Sequence, residues 1–268
     1  MCTGFACYKG RPLYAMNFDC WEVPMRMRLS CAGDVDVLWF EANMGGAYLE
    51  TAAMNSKGVF GNFQGNLSRH HQNVPPGPGT ISIAHLYRES LQTCEKITDL
   101  KNLLGDRIVV YPPVPPEWNM LHNLFADKYG DSLVLETSQG HNEITGIDGH
   151  YQVMTNFPVH EFRNRPPAEI AGAGDDRYKL ADTYLAEGEK IGVKDALEVL
   201  QKTAQNTTGW KTLSSMVFDP IELKVYFALD QKYADIYMVD MNERKLVSPG
   251  NIAQHPDNLI FEGLSHKP

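Results

Sequence analysis

Strand-like segments crowd both ends of this 268-residue chain and helical ones lie between them, an order that restricts the fold more than any other feature. At the start, "CTGFACY" (2–8) and "LYAMNFD" (13–19) are short and apolar-rich. The Lys-Gly-Arg-Pro between them is a turn signal, so the spacing predicts a β-hairpin. "MRMRLS" and "VDVLWFEA" continue with period-2 alternation, and "GVFGNFQGN" is a further strand before a Pro/Gly-dense loop. From Ile83 to Leu104 the apolar residues Ile83, Tyr87, Leu91, Cys94, Ile97 and Leu104 recur at helical spacing, which predicts one amphipathic helix. Three strands follow, in "NMLHNLFAD", "DSLVLETS" and "HYQVMTNFP", then helices in "DDRYKLADTYLAEG" and "VKDALEVLQKTAQN". The chain returns to strands in "TLSSMVFD", "KVYFALD" and "ADIYMVDM". Strands at both ends with helices in the middle predict layered α+β, central sheets covered by helices, in one domain spanning 1–268.

Charge removes one class of partner. With 24 Lys+Arg against 33 Asp+Glu, the net charge of −9 offers no basic stripe for nucleic acid. No run of 18 apolar residues exists to span a membrane, and a signal-peptide pattern is absent, so the expectation is a cytoplasmic protein. Five cysteines, at 2, 7, 20, 31 and 94, are odd in number and lack zinc-type pairs, which suits reduced thiols. The nine histidines show no metal-ligand spacing, "GAGDD" lacks the strand–turn–helix glycine pattern for a dinucleotide, and there is no Walker motif. The expectation is a cofactor-free protein. A papain-like use of Cys94 is set against its place on the apolar face of a helix, where a core thiol is the commoner fate. Trp21, Trp39, Trp118 and Trp210 could line an acyl pocket, with buried core or surface anchoring the commoner fate of each.

Cys2 directly follows Met1, and methionine removal would place a thiol and a free α-amine on neighbouring atoms. An α-amine titrates near 7.7–8.0 and a thiol near 8.5, so the amine can serve as the thiol's own base. Such a thiol would attack an amide carbonyl, form a thioester and be released by water. A cysteine at position 2 also arises by chance. If the hairpin closes at Lys-Gly-Arg-Pro, however, Asn17 and Asp19 run back beside Cys2, and Asp19 can hold the amine or the thiolate in register.

"MCTGF", "MNFD", "MNSKGVFGNF", "LHNLFADKYGDSLVLE", "VMTNFP", "DDRYKLAD" and "TLSSMVFD" occur in that order. Together they resemble the choloylglycine hydrolase family of N-terminal nucleophile hydrolases, which includes conjugated bile salt hydrolases and penicillin V acylases. The resemblance implies a four-layer αββα sandwich and hydrolysis of a linear, non-peptide amide, with a small-molecule N-acyl amide as partner. It also implies roles: Cys2 as nucleophile, Asp19 against the N-terminal amine, Asn156 as side-chain donor to the oxyanion, and Arg177 reaching into the site from the start of a helix. An Asn or Tyr is expected after "MNSKG", and both Asn62 and Asn66 are open for it, Asn66 being nearer the family's spacing. Met16 stands where many members carry an arginine beside the thiol, so either Arg177 with Arg26 or Arg28 covers that role or activity is weak; Met16 and Asn62 are expected to contact the substrate. The interval from Asn156 to Arg177 is too short for the assembly loop of the bile salt hydrolases, which argues against a tetramer built that way and leaves other homo-oligomers open. An acyltransferase of the same fold and a non-catalytic relative are the alternatives.

Overall fold

The computed structural model describes residues 1–67, 74–111, 120–250 and 259–267. The loop residues "SRHHQN" and the stretch containing Trp118 lie outside them. β1 (Thr3–Cys7) and β2 (Leu13–Cys20) form the expected hairpin, with Thr3 opposite Asn17 and Gly10 turning the chain at φ +105°. A meander follows through β3 (Met25–Ala32), β4 (Val35–Met44), β5 (Ala47–Asn55) and β6 (Phe60–Asn62), continued by β7 (Gln64–Asn66). β8 (Thr80–Ser82) leads into α1 (Ile83–Thr93) and α2 (Ile97–Leu104), and β9 (Ile108–Val110) returns parallel to β8.

Then come β10 (Met120–Ala126), β11 (Ser132–Ser138), β12 (His141–Gly146) and β13 (Tyr151–Met154). α3 (Asp175–Glu187) and α4 (Val193–Lys202) precede β14 (Asn206–Thr207), β15 (Trp210–Asp219), β16 (Lys224–Leu229), β17 (Tyr237–Asp240) and β18 (Lys245–Val247). β19 (Leu259–Glu262) and β20 (Ser265–Lys267) add short parallel strands, one to each sheet.

The described strands build two large sheets. One runs β13-β1-β2-β15-β16-β17-β18-β20, the other β12-β11-β10-β6-β5-β4-β3-β19, with β14 and β7 attached at the side. Strand alternation decides which layer each side chain enters. On β2, Leu13 and Ala15 join Phe5 and Cys7 of β1 against Ala181, Leu185, Ala196, Val199 and Leu200 of α3 and α4. Tyr14, Met16 and Phe18, on the opposite face, pack between the sheets with Phe40, Phe60 and Phe218. α1 and α2 cover the outer face of the second sheet through Leu86, Tyr87, Leu91, Ile97 and Leu100 on Trp39 and Phe125. The result is the αββα sandwich.

Two local expectations change. The single helix over 83–104 is two helices, because the local Asp99 carboxylate, which accepts from the Glu95 and Lys96 amides, and two groups distant in sequence cap a break at Cys94–Lys96. Asn55 Nδ2 donates to the carbonyls of Leu91 and Cys94, and Asp127 Oδ2 accepts from the Ile97 amide at 2.8 Å. These satisfy end groups that a continuous helix would have satisfied internally. The second change is β12, a polar, largely exposed strand that pairs with β11 through a Gln139–Gly140 turn whose residues both have positive φ. Its His-Asn-Glu start carries no apolar alternation to reveal it.

Candidate active site

Register places the first residues of the chain. With Thr3 opposite Asn17, the chain before Thr3 lies along Phe18 and Asp19. The Met1 amine donates to the Asp19 carbonyl at 3.3 Å and the Cys2 thiol to the same carbonyl at 3.8 Å. Cys2 is 5% exposed and Asp19 2%. Burial pushes the Cys2 thiol up, against the N-terminal ammonium and the Arg177 guanidinium, which lower it. Asp19 is held at its Oδ1 by the Thr212 hydroxyl, 2.5 Å away on β15, while its Oδ2 is buried without a partner among the described residues. Burial raises the Asp19 carboxyl to about 7, with the N-terminal ammonium, Thr212 and Arg177 opposing.

Arg177 approaches from the first turn of α3 and is buried. Its Nη1 donates to the Cys2 carbonyl and to Thr3 Oγ1 (2.9 Å), and its Nη2 to Asn156 Oδ1 (2.7 Å). The side chain folds back over Gly174, where a Cβ would come within 2.3 Å of Nη2; Gly174 also takes φ +78°, so glycine is required there twice over. Asn156, just past the end of β13, is fixed on its other side by Nδ2 donating to the Gly65 carbonyl at 2.7 Å. Cys2, Asp19, Asn156 and Arg177 are thus brought together from four separate stretches of chain.

A cavity of about 410 Å³ opens beside Cys2. Cys2, Asp19, Gln64 and Asn156 line it together with apolar groups that include Phe18, Met44, Phe63, Leu121 and Trp210. Glu50 and Arg88 contribute to the wall as an ion pair, with Nε 2.6 Å from Oε1. Trp21 packs edge-on against Trp210, while Trp39 belongs to the core under α1. Cys94 is likewise a core thiol between α1 and α2.

The remaining expected residues lie off the cavity wall. Asn62 is buried, its Oδ1 accepting from the Leu124 amide at 3.1 Å. Asn66 turns away, its Nδ2 donating to Glu136 Oε1 at 3.0 Å. Met16 is completely buried between the sheets and is packing rather than a substrate contact. Arg26 and Arg28 both bind the buried Glu41 on the neighbouring strand, so neither of them enters the cavity wall.

Gln64, which the sequence reading passed over, is the polar side chain that this segment does contribute. It is 1% exposed, and both its Nε2 and its Oε1 are buried without a hydrogen-bond partner among the described residues. Gly4 makes room for it: a Cβ there would lie 2.3 Å from Gln64 Nε2 and 2.8 Å from Asn62 Nδ2. The glycine of "MCTGF" is the one sequence sign of that close approach.

Comparison with known proteins adds sequence and fold likeness. Residues 43–165 match the family described as linear amide C-N hydrolases, choloylglycine hydrolase family. That stretch is under half of the chain; it takes in Gln64 and Asn156 and leaves out Cys2, Asp19 and Arg177. No curated protein matches by sequence. Among solved structures, a cysteine-to-alanine mutant of the conjugated bile acid hydrolase from Clostridium perfringens superposes with TM-score 0.68 at 15% identity, covering 97% of this chain and 98% of that one. Penicillin V acylase from Agrobacterium tumefaciens gives 0.63 at 16% identity, over 90% and 91%. A Caenorhabditis elegans N-acylethanolamine-hydrolyzing acid amidase ortholog gives 0.56 at 13%, over 81% and 92%. By sequence over residues 43–165, and by fold over nearly its whole length, the chain resembles the choloylglycine hydrolase family of linear amide C–N hydrolases and their structural neighbours.

Proposed function

We propose that this chain is a cysteine N-terminal nucleophile amidohydrolase that cleaves a linear, non-peptide amide, with Cys2 as nucleophile after loss of Met1. The observation that carries the reading is the convergence on one apolar cavity of Cys2, Asp19, Asn156 and Gln64, with Arg177 bonded to both the Cys2 carbonyl and the Asn156 amide oxygen.

With Met1 removed, the α-amine of Cys2 takes the thiol proton and the thiolate attacks the substrate's carbonyl carbon. The tetrahedral oxyanion needs preorganised donors. Asn156 Nδ2 carries two hydrogens, of which the Gly65 carbonyl accepts one, so the second can meet the oxyanion. Gln64 is the next amide to hand and has no competing partner among the described residues. Collapse breaks the C–N bond, and the departing amine takes the proton held by the α-amine. Water, deprotonated by the same amine, then hydrolyses the thioester and returns the thiol. The unpaired Asp19 Oδ2 suits an ammonium on Cys2.

The mostly apolar wall favours a substrate with an apolar acyl half. Arg88 is already paired with Glu50, so a leaving group that is small and polar fits better than one that needs a free cation. The test begins with the intact mass of the purified protein. A mass short by one methionine residue, with hydrolysis of penicillin V, a glycine-conjugated bile acid or an N-acylethanolamine that Cys2→Ala abolishes, supports the reading. Comparable hydrolysis by Cys2→Ala sinks it.

A further inference from the structure

Behind the cavity, Glu136 on β11 is 0% exposed and accepts five hydrogen bonds on one carboxylate. Its Oε1 receives Asn66 Nδ2 (3.0 Å), His122 Nδ1 (3.0 Å) and the Val159 amide (3.0 Å). Its Oε2 receives the His160 amide (2.8 Å) and His160 Nδ1 (2.9 Å). His122, equally buried on β10, turns its other nitrogen, Nε2, to the Thr155 carbonyl at 2.7 Å. Both ring nitrogens of His122 therefore face acceptors.

These bonds bracket Asn156. β13 is the edge strand of its sheet and ends at Met154, so no neighbouring strand fixes residues 155–160. The opposite sheet does so instead. His122 grips the residue before Asn156, the Leu67 amide donates to the Asn156 carbonyl at 2.8 Å, and Glu136 grips the residues three and four positions after it. A buried ionic cluster is a poor means of general cohesion, because apolar packing of equal volume stabilises as well or better. What a carboxylate adds is direction, with each donor held at a fixed angle.

We infer that Glu136, together with His122 and His160, is a positioning group for Asn156, tying the segment that carries this amide across to the other sheet so that Nδ2 stays aimed at the reacting carbonyl. This rests on the reading of Asn156 as an oxyanion donor.

The test is a double-mutant cycle on hydrolysis of penicillin V, a glycine-conjugated bile acid and N-palmitoylethanolamine. Asn156→Ala lowers kcat by about 100- to 1000-fold. Glu136→Gln lowers kcat by about 10- to 100-fold, as a misplacement of roughly an ångström does, with KM changed little. The double variant is then no slower than Asn156→Ala alone. Multiplying losses, or a loss confined to KM, overturn the inference. His160→Asn removes one of the five bonds at a partly exposed ring and gives a smaller kcat loss with the same non-additivity, should Glu136→Gln not fold. A second readout needs no turnover: the side-chain amide resonance of Asn156, assigned by its absence in Asn156→Asp, shifts or broadens in Glu136→Gln. If wild-type protein hydrolyses none of the amides, or Asn156→Ala keeps full kcat, the proposed function fails and this resonance alone decides the positioning; an unmoved resonance refutes it.

Discussion

Replacing Arg177 with methionine keeps length and apolar stem but removes three bonds: to the Cys2 carbonyl, to Thr3 Oγ1 and to Asn156 Oδ1. A bond from a charged donor is worth about 1.5–3 kcal/mol, so the gross loss is roughly 4–9 kcal/mol. Removing the ion also removes several kcal/mol of desolvation cost for a group as buried as this. The net destabilisation expected is about 2–4 kcal/mol, read as a lower urea midpoint with unchanged slope. The rate falls further than stability alone would suggest. Without its anchor at Oδ1, the Asn156 amide can rotate, and one lost oxyanion donor costs about 100-fold or more in kcat. Arg177→Lys does not restore the rate, because one ammonium on a flexible stem cannot reproduce the guanidinium fork spanning the Cys2 and Asn156 oxygens. The assay pairs urea unfolding with steady-state hydrolysis of the best of the three probe amides. A variant that loses stability yet keeps kcat within about threefold would show Arg177 to be a structural cation only, and the argument from Asn156 rotation would be refuted.

Gly4→Ala drives a Cβ into Gln64 Nε2 and Asn62 Nδ2, both ends of side chains that can shift, so stability falls by about 1–2 kcal/mol while kcat/KM falls at least tenfold as Gln64 is displaced from the cavity. Adding Gln64→Ala to Gly4→Ala restores part of the melting temperature, the Asn62 contact remaining, and not the activity; recovery of the activity would clear Gln64 of any role. Two carboxylates give stability opposite slopes with pH. Glu136, held down at about 2 because bonds from His122 and His160 outweigh its burial, contributes roughly 3 kcal/mol that is present above its unfolded value near 4.5 and lost as pH falls toward 2. Asp19, raised to about 7 by burial, binds its proton more tightly folded than unfolded, so it contributes roughly 4 kcal/mol at low pH that is lost as pH rises from about 4 to 7. Urea midpoints across this range should lose their acid-side fall in Glu136→Gln and their decline between about pH 4 and 7 in Asp19→Asn. Unchanged profiles in both would show that neither carboxylate is perturbed.

What could be read from sequence divides along the distance over which each feature is determined. The β1–β2 hairpin rests on a local turn and two apolar runs, and the alternation along β2 already separates Leu13 and Ala15, facing α3 and α4, from Met16 and Phe18 between the sheets. Because the hairpin sets register, Asp19 beside Cys2 was legible as well, and α3 carries Arg177 at its start as its helical pattern suggested. The break between α1 and α2 leaves one local sign, Asp99, whose carboxylate accepts from the Glu95 and Lys96 amides; Cys94-Glu95-Lys96 itself contains no glycine or proline, and the other caps come from distant Asn55 and Asp127. The choice between Asn62 and Asn66 left out Gln64 for a related reason. β6 and β7 are separated at Phe63, and β7 pairs with a strand far off in sequence, β10, with Gln64 opposite His122 and Asn66 opposite Met120. Residue type also misleads there: an asparagine looks like an oxyanion donor in either place, but Asn62 is held by the Leu124 amide and Asn66 by Glu136. Among the described residues Asn62 Nδ2 is unpaired as well, but it lies off the cavity wall; the glutamine between them lines the cavity with both amide atoms unpaired, and only the missing side chain of Gly4, sixty positions earlier, marks where that amide sits.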